Sequence, residues 1–274
     1  RRAGHTHAGA SGTPAYPTRA RISQQEAAPL HGVPVELLTD TRAALVAITD
    51  ACRRATTSIW IAQLAFDADC AAVPTDAEPA PQPLLDAILH AARRSTENSA
   101  PLDVRIVLNG GLLLDTSPAL RRAIATAYDG GNVGVRTLKA FPRVMHTKLL
   151  VVDGRDAFLM GASFVNGYWD DARHVAKGDS DSSPGAGDRP LHDVAVRLQG
   201  AAAPALARWF AELWREARPT GADSEADTND AGNGVATDAE QATPREAADA
   251  TSAASAGTVR ILRTSPSDDA TRRA

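Results

Sequence analysis

Between Val33 and Ala217 short strand-like runs alternate with amphipathic helical stretches, and that alternation leaves few architectures open. Val35, Leu37 and Leu38 read as a short strand, with order beginning near Val33. Thr41 to Arg54 reads as a helix with Leu45, Ile48 and Cys52 on one face, and Asp40 is placed to cap it. Ser58 to Phe66 is a buried strand; Leu84 to Arg94 is a helix after a loop holding Pro74, Pro79, Pro81 and Pro83. Val104, Ile106 and Leu108 mark another strand. Ser117-Pro118 opens a helix that Gly130-Gly131 stops. Further strands are expected at Val133 to Leu138, His146 to Val152, Ala157 to Met160 and Val194 to Leu198. A last helix, Pro204 to Ala217, places Leu206, Phe210, Leu213 and Trp214 on its apolar side. Strands and helices in this order predict an α/β layered domain, a mixed β-sheet flanked by helices.

The flanking sequence has a different character. Residues 1–30 are rich in Gly, Ala, Thr, Pro and His without periodicity and read as a flexible segment, so His5 and His7 read as tail residues. Lys177 to Pro190 reads as a Gly/Ser/Asp loop. Residues 219–256 read as a disordered acidic linker. Its segment from Thr220 to Ala250 holds eight acidic residues and one arginine, −7 in all, leaving +3 for the rest of a chain whose net charge is −4. The remainder of the chain is thus mildly basic, which suits an anionic substrate but falls short of a dense nucleic-acid-binding stripe. Gly257 to Thr264 then repeats the pattern of Val33 to Thr39, aligning Val259, Ile261 and Leu262 with Val35, Leu37 and Leu38, and a strand is expected to reopen there.

Two cysteines, Cys52 and Cys70, exclude a disulfide scaffold and have no metal-site spacing; a single bridge between them stays open. No uncharged apolar run approaches the length of a membrane-spanning helix, and no signal-peptide core follows the first residues, Arg1-Arg2. The compartment is unreadable from the sequence.

The chemistry concentrates in Met145-His146-Thr147-Lys148-Leu149-Leu150-Val151-Val152-Asp153-Gly154. On a strand, His146 and Lys148 point to the same face. An imidazole beside an ammonium makes sense where a phosphate is held and attacked: lysine neutralises non-bridging oxygens and neutral histidine offers a nucleophilic nitrogen. The Leu-Leu-Val-Val run after them buries the strand, so the polar pair sits on an apolar element, a costly placement unless the groups serve a site.

This segment resembles the HxKxxxxD signature of the phospholipase D superfamily. Gly161-Ala-Ser163-Phe-Val-Asn166-Gly-Tyr168-Trp169 falls where that family has a Gly/Ser/Asn segment lining the phosphate pocket. Leu191-His192-Asp193 and the residues to Gly200, followed by Leu206 to Trp214, are similar to its acid-bearing strand and the helix after it. The resemblance covers Val33 to Ala217. It departs from the family pattern after Asp153, where the interval is one residue longer, and in Gly-Ala-Ser-Phe-Val-Asn standing for Gly-Ser-x-Asn.

The resemblance implies a phosphodiesterase whose site is built from two repeats, in one chain or in a homodimer. One histidine attacks phosphorus to form a phosphohistidine, and the histidine of the other repeat protonates the leaving alcohol. Water then gives hydrolysis and another alcohol gives transfer, with no cofactor and no metal. By resemblance His146 is nucleophile or acid and Lys148 grips the phosphate. Asp193 orients His146, Asp153 completes the catalytic set by supporting its loop or the opposite repeat, and Ser163 and Asn166 bind phosphate.

His192 reads as a neighbour without a role, Asp67 and Asp69 as strand-end turn residues, and Trp209 and Trp214 as core. The expected organisation is a flexible segment (1–30), a phospholipase D-like catalytic repeat (31–218), an acidic linker (219–256) and the start of a second, truncated repeat (257–274). The expected substrate is a phospholipid at a membrane surface, hydrolysed or transferred as by cardiolipin synthases. The expected partner is a second repeat or a second copy of the chain. The alternatives are a nuclease of the same superfamily, disfavoured by the modest charge, and a catalytically incomplete lipid- or protein-binding half-site. No second H-x-K occurs among the seven histidines, so the isolated chain is expected to be monomeric and nearly inactive.

Overall fold

The structure, a computed structural model, describes residues 29–73, 80–98, 101–111, 115–139, 144–174, 191–219 and 255–261. The flexible segment up to residue 28, the 175–190 loop and the linker from 220 to 254 therefore lie outside the described residues. In chain order the elements are β1 (Leu30–Leu38), α1 (Thr41–Arg54), β2 (Ser58–Gln63), α2 (Leu84–Asn98), β3 (Asp103–Asn109), α3 (Ser117–Ala127) and β4 (Val133–Leu138). They continue with β5 (Leu149–Val152), β6 (Asp156–Met160), β7 (Ala195–Leu198), α4 (Ala202–Glu216), β8 (Arg218–Pro219) and β9 (Ser255–Val259). The α/β reading holds: one mixed sheet is flanked by helices, in the order β8-β4-β3-β2-β5-β6-β7-β1-β9. β2, β3 and β4 are parallel, joined through α2 and α3, and the remaining pairings are antiparallel.

The two faces follow from strand alternation. Ile59 and Ile61 of β2 join Leu45 and Ile48 of α1, Ile88 and Leu89 of α2 and Leu120 of α3 in one cluster. The intervening Trp60 turns to the other face and stacks on Phe210 of α4, ring centroids 5.4 Å apart. β5 lies between β2 and β6, and all four of its residues are buried. That is why its sequence is an unbroken apolar run rather than an alternation. Asp40 caps α1 as its position predicts, Oδ1 accepting from the Ala43 amide at 2.7 Å. Trp214 is buried, with the Arg136 guanidinium 4.2 Å above its ring. Cys52 and Cys70 are both buried and free, so no bridge forms, and burial pushes the Cys52 thiol up to about 12.

Several boundaries differ from expectation, and three of them bear on the topology. β5 begins at Leu149 rather than His146, because β2, its partner on one side, ends at Gln63 and the last paired residues are Ala62 and Leu149. β2 ends before Phe66, which instead makes an isolated parallel bridge to Phe164. The strand expected from Gly257 is Ser255–Val259, and it lies at the sheet edge beside β1, the strand whose pattern it repeats. It therefore extends the sheet of this same unit, while residues 262–274 fall outside the described ones.

Candidate active site

The segment entering β5 is held on both sides. The buried Asn109 at the end of β3 accepts the Met145 amide on its Oδ1 at 3.1 Å, and the Lys148 carbonyl accepts the Met160 amide at 3.1 Å. With the backbone fixed, His146 and Lys148 meet although they precede the paired strand. Lys148 Nζ lies 3.1 Å from His146 Nε2 and 3.3 Å from Nδ1. His146 is exposed, whereas Lys148 is only 6% accessible. Among the described residues no carboxylate stands at ion-pair distance from the Lys148 ammonium. Burial pushes the lysine below its ordinary value, and the Asp193 carboxylate opposes that. Burial, and then the Lys148 ammonium, push the His146 imidazole down. Both effects favour a neutral ring, the form with a lone pair to offer.

Asp193 makes no hydrogen bond to His146. Its Oδ1 accepts the amide of Val194 at 2.8 Å, and its field reaches Lys148. The expected Asp193–His146 pair is thus replaced by an arrangement in which Lys148 lies against the ring and Asp193 acts on Lys148. The carboxylate occupies space that Gly161 leaves open: a Cβ at position 161 would overlap it. The Gly161 amide donates to the Val194 carbonyl at 3.0 Å, which locks the two segments in register. Gly161 is a positioning residue that the sequence showed only as part of a Gly-rich stretch.

Ser163 is buried and its Oγ has no partner; neither has Oγ1 of Thr41, at the start of α1. Both line, with Asp193 and Met160, a small pocket with room for about one water molecule. Asn166 faces elsewhere. Its amide donates to Asp67 Oδ2 at 3.3 Å and its Nδ2 to Asp69 Oδ1 at 3.1 Å. Asp67 and Asp69 therefore do more than end a strand: they hold the segment that carries Ser163, helped by the Asp67 amide on the Phe164 carbonyl at 2.8 Å. Burial raises the Asp67 carboxyl, with the Asn166 amide working against the shift.

Asp153 lies past the opposite end of β5 from His146. Its carboxylate accepts from the amides of Thr56, Thr57 and Ser58 and from the hydroxyls of Thr56 and Thr57. Burial alone would raise this carboxyl; the amides of Ser58, Thr57 and Thr56 and the Thr57 hydroxyl outweigh it and hold it below the ordinary carboxylate value. Asp153 has φ +52° and Gly154 φ +62°, the left-handed geometry of the β5–β6 turn. Its contacts are those of an anchor for the α1–β2 connection rather than of a group that touches the reaction.

Sequence reasoning missed one cluster altogether. Asp170, His174 and His192 converge, with His174 Nδ1 2.8 Å and His192 Nδ1 2.5 Å from Asp170 Oδ2. No spacing signalled it, because His192 is 22 residues from Asp170. It makes His192 a partner of a buried acid rather than a bystander.

No family profile matches the sequence, and no curated protein matches it. Among solved structures the chain is similar to Nuc from Salmonella typhimurium, described as a phospholipase D family member. The identity is 20%, the match covers 70% of this chain and 97% of that one, and the TM-score is 0.46. It is similar to NucT from Helicobacter pylori at 15% identity, over 68% of this chain and 99% of that one, with a TM-score of 0.44. It is also similar to the phosphatidylserine synthase of Haemophilus influenzae at 19% identity, over 66% of this chain and 36% of that one, with a TM-score of 0.46.

Proposed function

We propose that this chain supplies one half-site of a phospholipase D-type phosphodiesterase acting on phospholipids. The observation that carries the reading is Lys148, a residue only 6% accessible, whose ammonium touches an exposed imidazole and meets no carboxylate at ion-pair distance among the described residues. A buried charge without a counter-ion is costly. An anionic ligand removes that cost, and a phosphodiester seated on Lys148 lies against His146.

In the proposed reaction a ring nitrogen of neutral His146 attacks phosphorus, and the bond from phosphorus to the head-group alcohol breaks. The alcohol leaves with a proton from a second histidine. Water or another alcohol then displaces the histidine from phosphorus, giving its proton back to that second histidine. The sequence holds no second H-x-K, so in this reading the acid comes from a second copy or a second repeat. Ser163 is offered as a phosphate hydrogen-bond donor because its buried hydroxyl has no hydrogen-bond partner among the described residues. Asn166 enters only if it leaves Asp69. Exposed apolar side chains flank the site residues along the chain: Val144 two before His146, and Leu191 and Val194 on either side of His192 and Asp193. Exposed apolar residues this near the site residues in sequence suit acyl chains better than a sugar-phosphate backbone. No helix of the described residues is long and apolar enough to cross a membrane.

The test is release of choline or ethanolamine from mixed phospholipid vesicles without added metal, run beside single-stranded DNA and a chromogenic phosphodiester. The chain is compared with His146→Ala, and its mass in solution is recorded. Head-group release by a dimer, lost in the variant, supports the reading. Cleavage of DNA in place of lipid moves the chain to the nucleases. No turnover of any diester by a dimer refutes it.

A further inference from the structure

The cluster at Asp170 is outside the proposed reaction and has a chemistry of its own. The carboxylate side chain is 3% exposed, while the two imidazoles that contact it are half exposed, at 56% and 50%. Asp171, next in sequence, solves the same problem conventionally by taking Arg173 on both oxygens, with Nη2 to Oδ2 at 2.6 Å. Among the described residues Asp170 receives no guanidinium or ammonium; its side-chain partners are the two rings. Those rings stand edge to face, centroids 4.6 Å apart at 89°, so both Nδ1 atoms aim at one oxygen. His174 reaches that position through a left-handed backbone, φ +48°, which is costly for a residue with a Cβ and is kept only where the surroundings demand it.

We propose that Asp170, His174 and His192 form a binding site for a divalent transition-metal ion of the Zn²⁺ type. One ligand atom from each residue lies within 4.8 Å of the others. Bonds of about 2.0–2.2 Å to nitrogen and oxygen put the donor atoms of a tetrahedral centre roughly 3.3 Å apart, so the side chains need to open by about half to one ångström. Each neutral ring moves its proton from Nδ1 to Nε2 and turns the Nδ1 lone pair to the ion, while Asp170 contributes a carboxylate oxygen. The half-exposed edges of the rings leave room for water at the remaining position. Two imidazoles and one carboxylate select Zn²⁺, Co²⁺ or Ni²⁺ over Mg²⁺ or Ca²⁺, which prefer all-oxygen shells.

The site ties residues that the chain order leaves apart. The Asp170 carbonyl accepts the Arg42 amide at the start of α1 at 3.0 Å, and His192 precedes Asp193, whose field acts on Lys148. A bound ion therefore clamps the Asp193 segment to α1.

The experiment titrates the whole chain with Co²⁺, read by its visible d–d absorption, and then displaces it with Zn²⁺. The same titration is run on His174→Ala, on His192→Ala and on the double variant His5→Ala/His7→Ala, because His5-Thr-His7 is the other pair of closely spaced histidines. Each substitution leaves the other ring on Asp170, and circular dichroism checks that the fold survives. The expected result is one equivalent bound. Each of the first two substitutions weakens binding by at least the 10–100-fold that loss of even a supporting partner costs, and the tail substitutions leave it unchanged. Zn²⁺ also raises the unfolding temperature of the native chain but not of either cluster variant. Absence of one-equivalent binding, unchanged affinity in either cluster variant, or loss that follows His5 and His7 overturns the proposal.

Discussion

At one end of β5 the Asp153 carboxylate meets five hydrogen-bond donors from Thr56, Thr57 and Ser58; at the other the Lys148 ammonium meets one histidine and, among the described residues, no carboxylate at ion-pair distance. Four buried apolar residues separate the two groups, and both belong to one ten-residue motif. Asp153 is saturated, and a half-buried charge whose bonds are all met holds a structure together. Lys148 is left wanting an anion, and a buried group in that state costs stability that a ligand can return. Motif membership therefore does not assign a role: whether the surrounding structure completes a group's bonding separates the anchor from the site.

The contrast is most exposed at His146. In the site completed by a second half, His146→Ala is expected to lower phosphodiester turnover by at least about 1000-fold while leaving the unfolding midpoint of the chain in urea within experimental error, since the ring is exposed. A comparable loss of stability would mean that this end of β5 is framework too. Asp153→Ala is expected to do the reverse. It strands five donors and costs about 3 kcal/mol in urea unfolding, without changing the affinity of the folded chain for inorganic phosphate. Because the folded structure holds this carboxyl below its ordinary 3.8, its contribution is present above that value and is lost as pH falls through the folded pKa. The difference between native chain and variant should accordingly shrink only in strong acid.

Lys148→Met removes a charge that lacks a counter-ion but keeps the length of the side chain. It should abolish phosphate binding and at the same time stabilise the fold by about 1 kcal/mol. A destabilised Lys148→Met chain would show that the ammonium is already satisfied, and the contrast between the two ends would collapse. The smallest effect is on the His146 titration, followed by its ring resonances in NMR. Burial and Lys148 both push the imidazole down, so the native ring should take up its proton only below the ordinary 6.5, and the midpoint should rise in Lys148→Met while the burial effect remains.

Part of this arrangement is legible in short stretches of chain. The Leu149–Val152 run has no polar residue to face water, so it had to become a strand covered on both sides, and its alternation with amphipathic stretches implied helices on both faces of a sheet. The Thr41–Arg54 helix and its Asp40 cap follow from residues a few positions apart, which is the range over which local hydrogen bonding operates. The pairing of His146 with Lys148 is likewise contained in a spacing of two.

Other features depend on segments that chain order does not relate. The support of Met145 by Asn109 needs β3 beside the entry to β5, and the seat of Asp193 needs Gly161 across the β6–β7 pair. Asn166 resembled a phosphate ligand in sequence, yet Asp67 and Asp69 claim it because the continuation of β2 runs alongside Phe164. β9 repeats the pattern of β1, but only pairing reveals that it extends the same sheet.

What the amino-acid sequence by itself determined is the set of elements, their burial and one polar pair, because periodicity, caps and nearest-neighbour spacing are properties of a short stretch of chain. What only the tertiary structure decided is which polar groups are satisfied and which are left open: Asp153 closed by a loop nearly a hundred residues away, Lys148 buried with no carboxylate at ion-pair distance among the described residues, Asp170 reached by two imidazoles. Each of those outcomes is a sum over partners from different elements, and such a sum does not exist until the elements have packed.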